Sequence, residues 1–204
     1  MKRIDALRVI AGLTTPEDLF ISSVGGLIDD WWNVRPGQVD NTMSLSILGS
    51  VSSTALGLAL ALPHRRVVAL ETDGSVLMNL GAVATLATRR PPNLTVVVLD
   101  NGLYECIGSA PTLTSAGVDL AAIAAGAGCA HAVAVHDEAE LGREVATSLD
   151  AEDLGYVVAR IEPGMESWPP EQRRYTDGVE DKYRFVRYVE KLEGRRIHGG
   201  APHV

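Results

Sequence analysis

Two polar segments follow apolar runs that are typical of buried strands. The segment Asp73-Gly74-Ser75 comes soon after the run Arg66–Leu70, and Asp100-Asn101 directly follows the run Leu94–Leu99. Because the carboxyl ends of parallel strands lie at one edge of a sheet, we expect Asp73 and Asn101 to converge there. A carboxylate, an amide oxygen and a nearby backbone carbonyl are hard oxygen ligands, suited to Mg²⁺ that also holds phosphate oxygens. The spacing therefore predicts a magnesium site.

Glycines and hydroxyl side chains precede two predicted helices. They lie in the segments 48–53 and 71–75. Free backbone N–H groups at the positive end of a helix can bind a phosphate group. Glycine and serine also cap many helices for structural reasons alone, and Asn101-Gly102 is a common turn sequence. The phosphate interpretation is favoured because a third polar segment, Asp100-Asn101, follows a strand that is expected to lie beside Arg66–Leu70.

The elements that position these residues alternate between strand and helix. Apolar runs predict strands at Leu19–Ser23, Arg66–Leu70, Leu94–Leu99, Ala130–Val135 and Tyr156–Ile161. Helical patterns occupy Lys2–Ala11, Ser52–Ala61, Val76–Thr88, Val118–Ala125 and Glu138–Ser148. Strands that alternate with helices imply right-handed crossovers between parallel strands. The predicted class is α/β, a doubly wound, mostly parallel sheet with helices on both faces.

Length and charge restrict the function further. The chain has 204 residues with 18 Lys+Arg and 26 Asp+Glu, a net charge of −8. This acidic balance argues against a nucleic-acid binder or a protein of anionic membrane surfaces. Two cysteines exclude a disulfide scaffold. No run of 18 apolar residues or signal-peptide pattern is evident, so we expect a cytoplasmic location.

The last forty residues differ from the rest. Breaker residues near 163–170 place the edge of the main domain, residues 1–164, before an extension at 165–204. Apolar residues recur at helical spacing from Val179 to Leu192, and Gly194 is a plausible C-cap. The extension is therefore predicted to contain one helix, packed either on this domain or on another chain. We expect Arg195–Val204 to be disordered.

The motif residues support a family resemblance. After Asp73-Gly74-Ser75, 25 residues precede Asn101. This pattern resembles the metal-and-diphosphate motif of thiamine-diphosphate enzymes, which begins with Gly-Asp-Gly-Ser and ends with Asn-Asn. The surrounding segments are similar to the branch of sulfopyruvate and phosphonopyruvate decarboxylases, specifically to its diphosphate-binding subunit or half. These segments are Leu48-Gly49-Ser50, Leu56–Ala59, Glu105–Gly108 and Pro111-Thr112. The resemblance covers about residues 1–162 and implies the thiamine-diphosphate-binding fold.

The resemblance also implies a set of cofactor-binding residues. These are Gly49, Ser50, Val51, Asp73, Gly74, Ser75, Asn101 and Leu103. Asp73, Asn101 and the Leu103 carbonyl would be ligands of Mg²⁺, and Gly74 and Ser75 would lie against the diphosphate. Gly49 would offer its carbonyl to the aminopyrimidine. Val51 would occupy the wedge position that keeps the cofactor bent.

Several residues depart from the pattern of the branch. The first motif glycine is Thr72, the first asparagine is Asp100, and Val51-Ser52 replaces Met-Gly. Ala110 also stands where the branch has glutamine. Because these positions lie near the cofactor and the substrate, the departures concern the identity of the substrate more than cofactor binding.

The resemblance implies a second chain. Thiamine chemistry needs a carboxylate against N1′ of the pyrimidine, which in this family is a glutamate from a separate pyrimidine-binding domain. We expect Glu71 to have a structural role, whereas Glu105 is a candidate catalytic residue that faces the substrate. The main catalytic glutamate is expected on an alpha-type partner subunit, in a heterodimer, an α₂β₂ assembly or a larger one. Trp31-Trp32 fits either such an interface or a core.

The implied function is decarboxylation of a small 2-oxo acid such as sulfopyruvate or phosphonopyruvate, with thiamine diphosphate and Mg²⁺ as cofactors. Two alternatives stay open. One is a carboligase of the same family that forms acyloins, since access of a second carbonyl depends on the partner. The other is a non-catalytic, regulatory subunit that holds the cofactor, an alternative suggested by Thr72 and Val51.

Overall fold

Six parallel strands form the central sheet. The computed structural model describes residues 1–173 and 177–197. The sheet consists of β1 (Leu19–Ser23), β2 (Thr42–Leu45), β3 (Val67–Thr72), β4 (Leu94–Asp100), β7 (His131–Val135) and β8 (Gly155–Arg160). Their order is β2-β1-β3-β4-β8-β7, which places β3 and β4 in the middle. Between β4 and β7 in the chain, the short strands β5 (Leu103–Tyr104) and β6 (Ala110–Pro111) pair antiparallel.

Helices cover both faces of the sheet. One face carries α1 (Arg3–Leu13), α2 (Gly26–Val34) and α7 (Glu138–Asp150). The other carries α3 (Val51–Ala61), α4 (Asp73–Met78), α5 (Gly81–Arg89), α6 (Leu120–Ala127) and α8 (Gly178–Glu193). The predicted fold class is confirmed.

Two hydrophobic cores lie on opposite sides of the central strands. Successive side chains of a strand point to opposite faces. Accordingly Val67 and Ala69 belong to the core beneath α3, whereas Val68 and Leu70 belong to the core beneath α1. All seven residues of β4 are buried. This burial on both faces explains why the central strands are continuous apolar runs in the sequence.

Most predicted elements are confirmed with small shifts of their ends, but α2 and β2, in the segment 24–47, and the short strands β5 and β6 were missed. The predicted continuous helix over Val76–Thr88 is wrong, because α4 ends and α5 begins around Asn79. Asn79 leaves the helical conformation, with φ −148° and ψ 61°, and its side chain binds a neighbouring loop.

The predicted C-terminal helix is present as α8. It ends at Gly194, which has the left-handed conformation of a C-cap, with φ 62°. Phe185 and Val189 are buried in the core beneath α3, so the helix packs on this domain. The predicted domain boundary at 164 stays a prediction, and the disorder expected for Arg195–Val204 concerns mainly residues 198–204, outside the described residues.

Across the described ranges, no helix combines the length and the apolar character that crossing a membrane would require.

Candidate functional site

A cleft of about 160 Å³ opens at the carboxyl ends of β3 and β4. The predicted site residues Gly74, Ser75, Asn101 and Leu103 line it together. They meet because β3 and β4 are paired in parallel with Thr72 opposite Leu99, so that both polar segments begin at the same edge. These four residues therefore meet at one cleft, whereas Asp73 is not among the residues that line it, so its convergence with Asn101 stays a prediction.

Asp73 is one of the buried carboxylates at this edge. It is 1% exposed, and its Oδ2 accepts a hydrogen bond from the Thr112 hydroxyl at 2.6 Å. The Thr114 hydroxyl oxygen lies 3.2 Å from the same atom, but its single proton is better placed toward Asp100, at 2.7 Å. Oδ1 is buried and has no hydrogen-bond partner within residues 1–173 and 177–197. Burial raises the pKa of Asp73; the Thr112 hydrogen bond opposes this shift, and the negative charge of Asp100 adds to it. A cation at Oδ1 would relieve both the burial and the repulsion.

Asp100 and Asn101 differ in their surroundings although they are adjacent. Asp100 is buried, forms an ion pair with Arg160 and accepts a hydrogen bond from Thr114 at 2.7 Å. The Asn101 side-chain oxygen accepts from the Leu103 backbone N–H at 3.0 Å. This bond closes a tight turn and fixes the amide of Asn101 at the cleft. Thr114 links the two carboxylates, because its hydroxyl contacts both Asp73 and Asp100.

The turn at residues 72–75 shows what Thr72 does in place of the first motif glycine and why position 74 is a glycine. The Thr72 hydroxyl accepts a hydrogen bond from the Ser75 backbone N–H at 3.3 Å and so caps α4. The ring of Tyr104 lies over Gly74, where an added Cβ would be 2.4 Å from a ring carbon. Position 74 therefore requires glycine as long as the tyrosine keeps its place.

The predicted residues at 49–51 lie beside the cleft, whose lining includes their neighbour Leu48. Gly49 has φ +80°, and its carbonyl oxygen accepts a hydrogen bond from the Asn79 amide at 2.8 Å. The Ser50 hydroxyl donates to the carbonyl of Ile47. Val51 has no exposed surface and packs in the core.

Glu105 lines the cleft, but both of its carboxylate oxygens are engaged. Oε2 lies 3.0 Å from Nη1 of Arg3, and Oε1 accepts the backbone N–H of Gly164 at 2.6 Å. Arg3 also pairs with buried Asp30, which accepts a hydrogen bond from the indole of Trp168. In this arrangement Glu105 anchors the segment after β8 to the floor of the cleft.

Glu71, at the carboxyl end of β3, is 1% exposed. Burial raises the pKa of Glu71, and hydrogen bonds from Ser75 and Ser52 oppose this shift. This environment agrees with the structural role expected from the sequence.

Sequence reasoning missed Arg3, Gly26 and Thr114 at this site. Gly26 begins α2 at the cleft, and a Cβ there would lie 2.9 Å from Nη2 of Arg3. The pair Gly25-Gly26, one residue beyond a predicted strand, was a usable signal, whereas Arg3 lies too far away in sequence to be detected. Thr114 follows the quoted Pro111-Thr112 by two residues.

The chemistry of the donors fits a hard cation and a phosphate. The described residues contain no group of three or more His, Cys, Asp or Glu side chains placed to hold a metal. The oxygens that are present are the free Oδ1 of Asp73, the amide of Asn101 and backbone carbonyls, which suit Mg²⁺ completed by phosphate oxygens and water. The residues at the cleft therefore fit the cofactor pair that the resemblance implies.

Comparison with solved structures supports the same fold. A putative thiamin diphosphate-dependent enzyme from Mycobacterium smegmatis superposes with a TM-score of 0.68 at 23% identity, over 80% of this chain and 32% of that chain. Benzoylformate decarboxylase from Polynucleobacter necessarius gives a TM-score of 0.66 at 21% identity, over 80% and 33%. The present chain thus corresponds in fold to about a third of each of these larger proteins.

Curated proteins found by sequence comparison have higher identities to this chain than these solved structures. Sulfopyruvate decarboxylase subunit beta of Methanocaldococcus jannaschii is 29% identical over 93% of this chain and 98% of its own length. The same-named subunit of Methanothermobacter thermautotrophicus is 40% identical over 61% of this chain and 65% of its own. Phosphonopyruvate decarboxylase of Streptomyces viridochromogenes is 37% identical over 79% of this chain but only 40% of its own length.

A family model described as thiamine pyrophosphate enzyme, C-terminal TPP binding domain, matches residues 26–159. The matched region contains β2 to β4, the cleft turn at 72–75 and the segment from Asp100 to Thr114. The chain therefore belongs to the thiamine pyrophosphate enzymes and contains their C-terminal cofactor-binding domain.

Proposed function

We propose that this chain is the diphosphate-binding subunit of a two-component enzyme that decarboxylates a small 2-oxo acid of the sulfopyruvate or phosphonopyruvate type. The observation that carries the proposal is Oδ1 of Asp73, a buried carboxylate oxygen without a hydrogen-bond partner within the described residues, at the edge where Asn101 also lies. The names of the relatives support decarboxylation as the reaction class. Their sequence identities to this chain, 29% and 37%, support a 2-oxo acid of the same type as the substrate.

The proposed cation site uses Asp73, the Asn101 amide and the Leu103 carbonyl. Mg²⁺ held there would bind the diphosphate, against which Gly74 and Ser75 would lie. Thr112 is expected to keep the Asp73 side chain in place, because it donates to the other carboxylate oxygen. When bound, thiamine diphosphate supplies the electron sink that allows a 2-oxo acid to lose CO₂.

The proposed pyrimidine side of the site is the turn at residues 49–52. Gly49 would offer its carbonyl to the aminopyrimidine and Ser50 would lie beside it, whereas Val51, which is fully buried in the core, would support this turn from behind and not touch the cofactor. The Gly49 carbonyl already accepts one hydrogen bond from Asn79, and a carbonyl oxygen has a second lone pair for a further donor.

A partner subunit is proposed for the missing carboxylate. Glu105 is the one acidic side chain that lines the cleft in the part of the chain that the structure describes, and it is held by Arg3 and Gly164. Around the mouth, Met78, Ile107 and Met165 are each more than half exposed. Apolar side chains clustered at a cleft are typical of a surface that another protein covers. We infer that an alpha-type, pyrimidine-binding chain covers this mouth.

The test is calorimetric binding of thiamine diphosphate with and without Mg²⁺. It is performed with this chain alone, and with this chain plus the product of the neighbouring reading frame. The variant Asp73→Ala removes the proposed ligand, and Glu152→Gln, at an exposed position, is the control. The mixture is then assayed for CO₂ release from sulfopyruvate, phosphonopyruvate and pyruvate.

We expect tight, Mg²⁺-dependent binding by the mixture, weak binding by this chain alone, and loss of binding in Asp73→Ala but not in Glu152→Gln. Release of CO₂ with formation of an aldehyde supports the decarboxylase. An acyloin product would contradict simple decarboxylation, and binding without turnover of any 2-oxo acid would indicate a cofactor-holding subunit. Normal affinity in Asp73→Ala would refute the site assignment.

A further inference from the structure

The Glu71 carboxylate joins two segments that are far apart in sequence. It lies at the end of β3, and Oε1 accepts hydrogen bonds from both the backbone N–H of Ser52, at 3.0 Å, and the Ser52 hydroxyl, at 2.8 Å. Ser52 belongs to the first turn of α3. A backbone N–H in the first turn of a helix has no partner inside the helix, so a carboxylate that accepts from it fixes where the helix begins.

Two further bonds attach the same turn to the segment after β3. The hydroxyl oxygen of Ser75 accepts the backbone N–H of Gly49 at 3.0 Å. The amide of Asn79 donates to the carbonyl of Gly49 at 2.8 Å. Gly49 is thus held at both its N–H and its carbonyl oxygen, and Glu71 holds Ser52 at the other end of the 49–52 turn.

The contact between Asn79 and Gly49 is close on both sides. Gly49 has φ +80°, and a Cβ at this position would lie 3.0 Å from the Cβ of Asn79. Asn79 can reach the carbonyl because the helix is interrupted there, between α4 and α5. The interruption that sequence periodicity did not predict therefore has a use: it turns a side chain from the diphosphate segment toward the 49–52 turn.

We propose that Glu71 and Asn79 are positioning residues that fix the 49–52 turn relative to the 72–75 turn. The inference rests on the proposed function, in which the 72–75 turn holds the diphosphate and the 49–52 turn holds the aminopyrimidine. Neither side chain touches the cofactor in this account. Their effect is to set the distance between the two turns, and so to select a cofactor whose two ends must be held at once.

The probes are thiamine diphosphate, which has both ends, and inorganic pyrophosphate, which has only one. The affinity of each is measured with Mg²⁺ by calorimetry on the complex of this chain with its neighbouring-frame partner. The variants are Glu71→Ala, Glu71→Gln and Asn79→Ala. Thr95→Val is the matched control, since Thr95 is 2% exposed but lies near the opposite end of β4.

We expect Asn79→Ala to weaken thiamine diphosphate binding by about tenfold, the equivalent of one lost hydrogen bond, while pyrophosphate binding changes by less than about twofold. Glu71→Ala also removes the acceptor of Ser75, so it should weaken both affinities, and that of thiamine diphosphate more than that of pyrophosphate. Glu71→Gln keeps an acceptor for Ser52 and should restore most of the affinity. Amide exchange of this chain should become faster in residues 48–54 of Glu71→Ala and stay unchanged in β4. Thr95→Val should leave the ratio of the two affinities as it is.

An equal loss of both affinities, together with faster exchange in β4, would show that Glu71 only stabilises the fold and would overturn the inference. An unchanged ratio in both alanine variants would overturn it while leaving the proposed function intact. If the wild-type complex binds neither probe with Mg²⁺, the proposed function fails and the inference fails with it.

Discussion

Replacing Asp73 with asparagine should make the metal-free chain more stable and, at the same time, unable to bind Mg²⁺ and thiamine diphosphate. The reason is the environment of the carboxylate. It is 1% exposed, its Oδ1 has no hydrogen-bond partner within the described residues, and the charge of Asp100 adds to the effect of burial in raising its pKa. Asparagine retains an oxygen that can accept from Thr112 and removes the negative charge.

The magnitude follows from the cost of a buried group without a partner. Such a group costs roughly 1–3 kcal/mol, and more when it is charged. The new amide NH₂ would need an acceptor of its own, which offsets part of the gain. We therefore expect a net increase of about 1 kcal/mol in the free energy of unfolding. For a chain of this size that corresponds to a rise of about 2–4 °C in Tm.

The assay is thermal unfolding of the chain in EDTA, followed by calorimetry of the two-chain complex with Mg²⁺. Asp100→Asn is the matched control, because Asp100 forms an ion pair with Arg160 and accepts from Thr114. Neutralising a satisfied carboxylate should lower Tm, so the two variants should shift it in opposite directions. A lower Tm in Asp73→Asn together with retained Mg²⁺-dependent binding would refute the reasoning.

Two other predictions use different parts of the chain. Gly74→Ala places a Cβ 2.4 Å from the overlying tyrosine ring and should cost about 1–3 kcal/mol. At Gly57, a Cβ would have no atom within 4 Å among the described residues outside its own stretch of helix, so Gly57→Ala should be neutral or stabilising. Urea denaturation compares the two variants, and an equal effect would contradict the packing argument. Hydrogen bonds from Arg65, and then from His64, hold the pKa of Glu193 below its ordinary value. The stability that this interaction contributes is present at neutral pH and is lost as the pH falls through the lowered pKa, so Glu193→Gln should destabilise the chain at pH 7, and the difference should shrink as the pH is made acidic, below the ordinary range of a glutamate. A difference between the two proteins that persists at the acidic pH would exclude this ion pair as its source.

The central sheet could be predicted because its strands are buried on both faces. Val67–Leu70 and Leu94–Leu99 are apolar almost without interruption, and such runs indicate a parallel sheet covered by helices. The strand β2 was missed since it lies at the edge of the sheet, has four residues and alternates between buried and half-buried positions. Its neighbour α2 begins at Gly25-Gly26 without a side-chain cap, so no capping residue marked its start.

The tryptophans at 31 and 32 show the same limit. Adjacent tryptophans fit an interface, although they more often belong to a core and its rim, and the structure buries both. The indole N–H of Trp31 donates to the Thr42 hydroxyl of β2 at 3.0 Å, a bond between the two elements that the sequence did not reveal. Local pattern could not assign these residues, because what decides their burial is the position of a strand that has a weak signal itself.

At the site, types and spacing predicted the residues that converge, but not what each side chain does in the protein. The positions of Asp73 and Asn101 follow from strand order alone. Within the described part of the chain, Asp73 has one oxygen without a hydrogen-bond partner, whereas Asp100 has partners in Arg160 and Thr114. These contacts need the complete fold. The interruption at Asn79 was missed for a related reason, since its amide is directed by Gly49, thirty residues earlier.

Thr72 is the departure that most affects the choice between a catalytic and a regulatory subunit. Its hydroxyl accepts the Ser75 N–H at 3.3 Å, which occupies one donor of the turn that is proposed to hold the diphosphate. A bond of that length is weak, and a phosphate oxygen, being charged, is a stronger acceptor than a hydroxyl. The cap therefore competes poorly with a diphosphate. The departure stabilises α4 without removing the binding capacity of the turn, which favours the catalytic interpretation over a regulatory one.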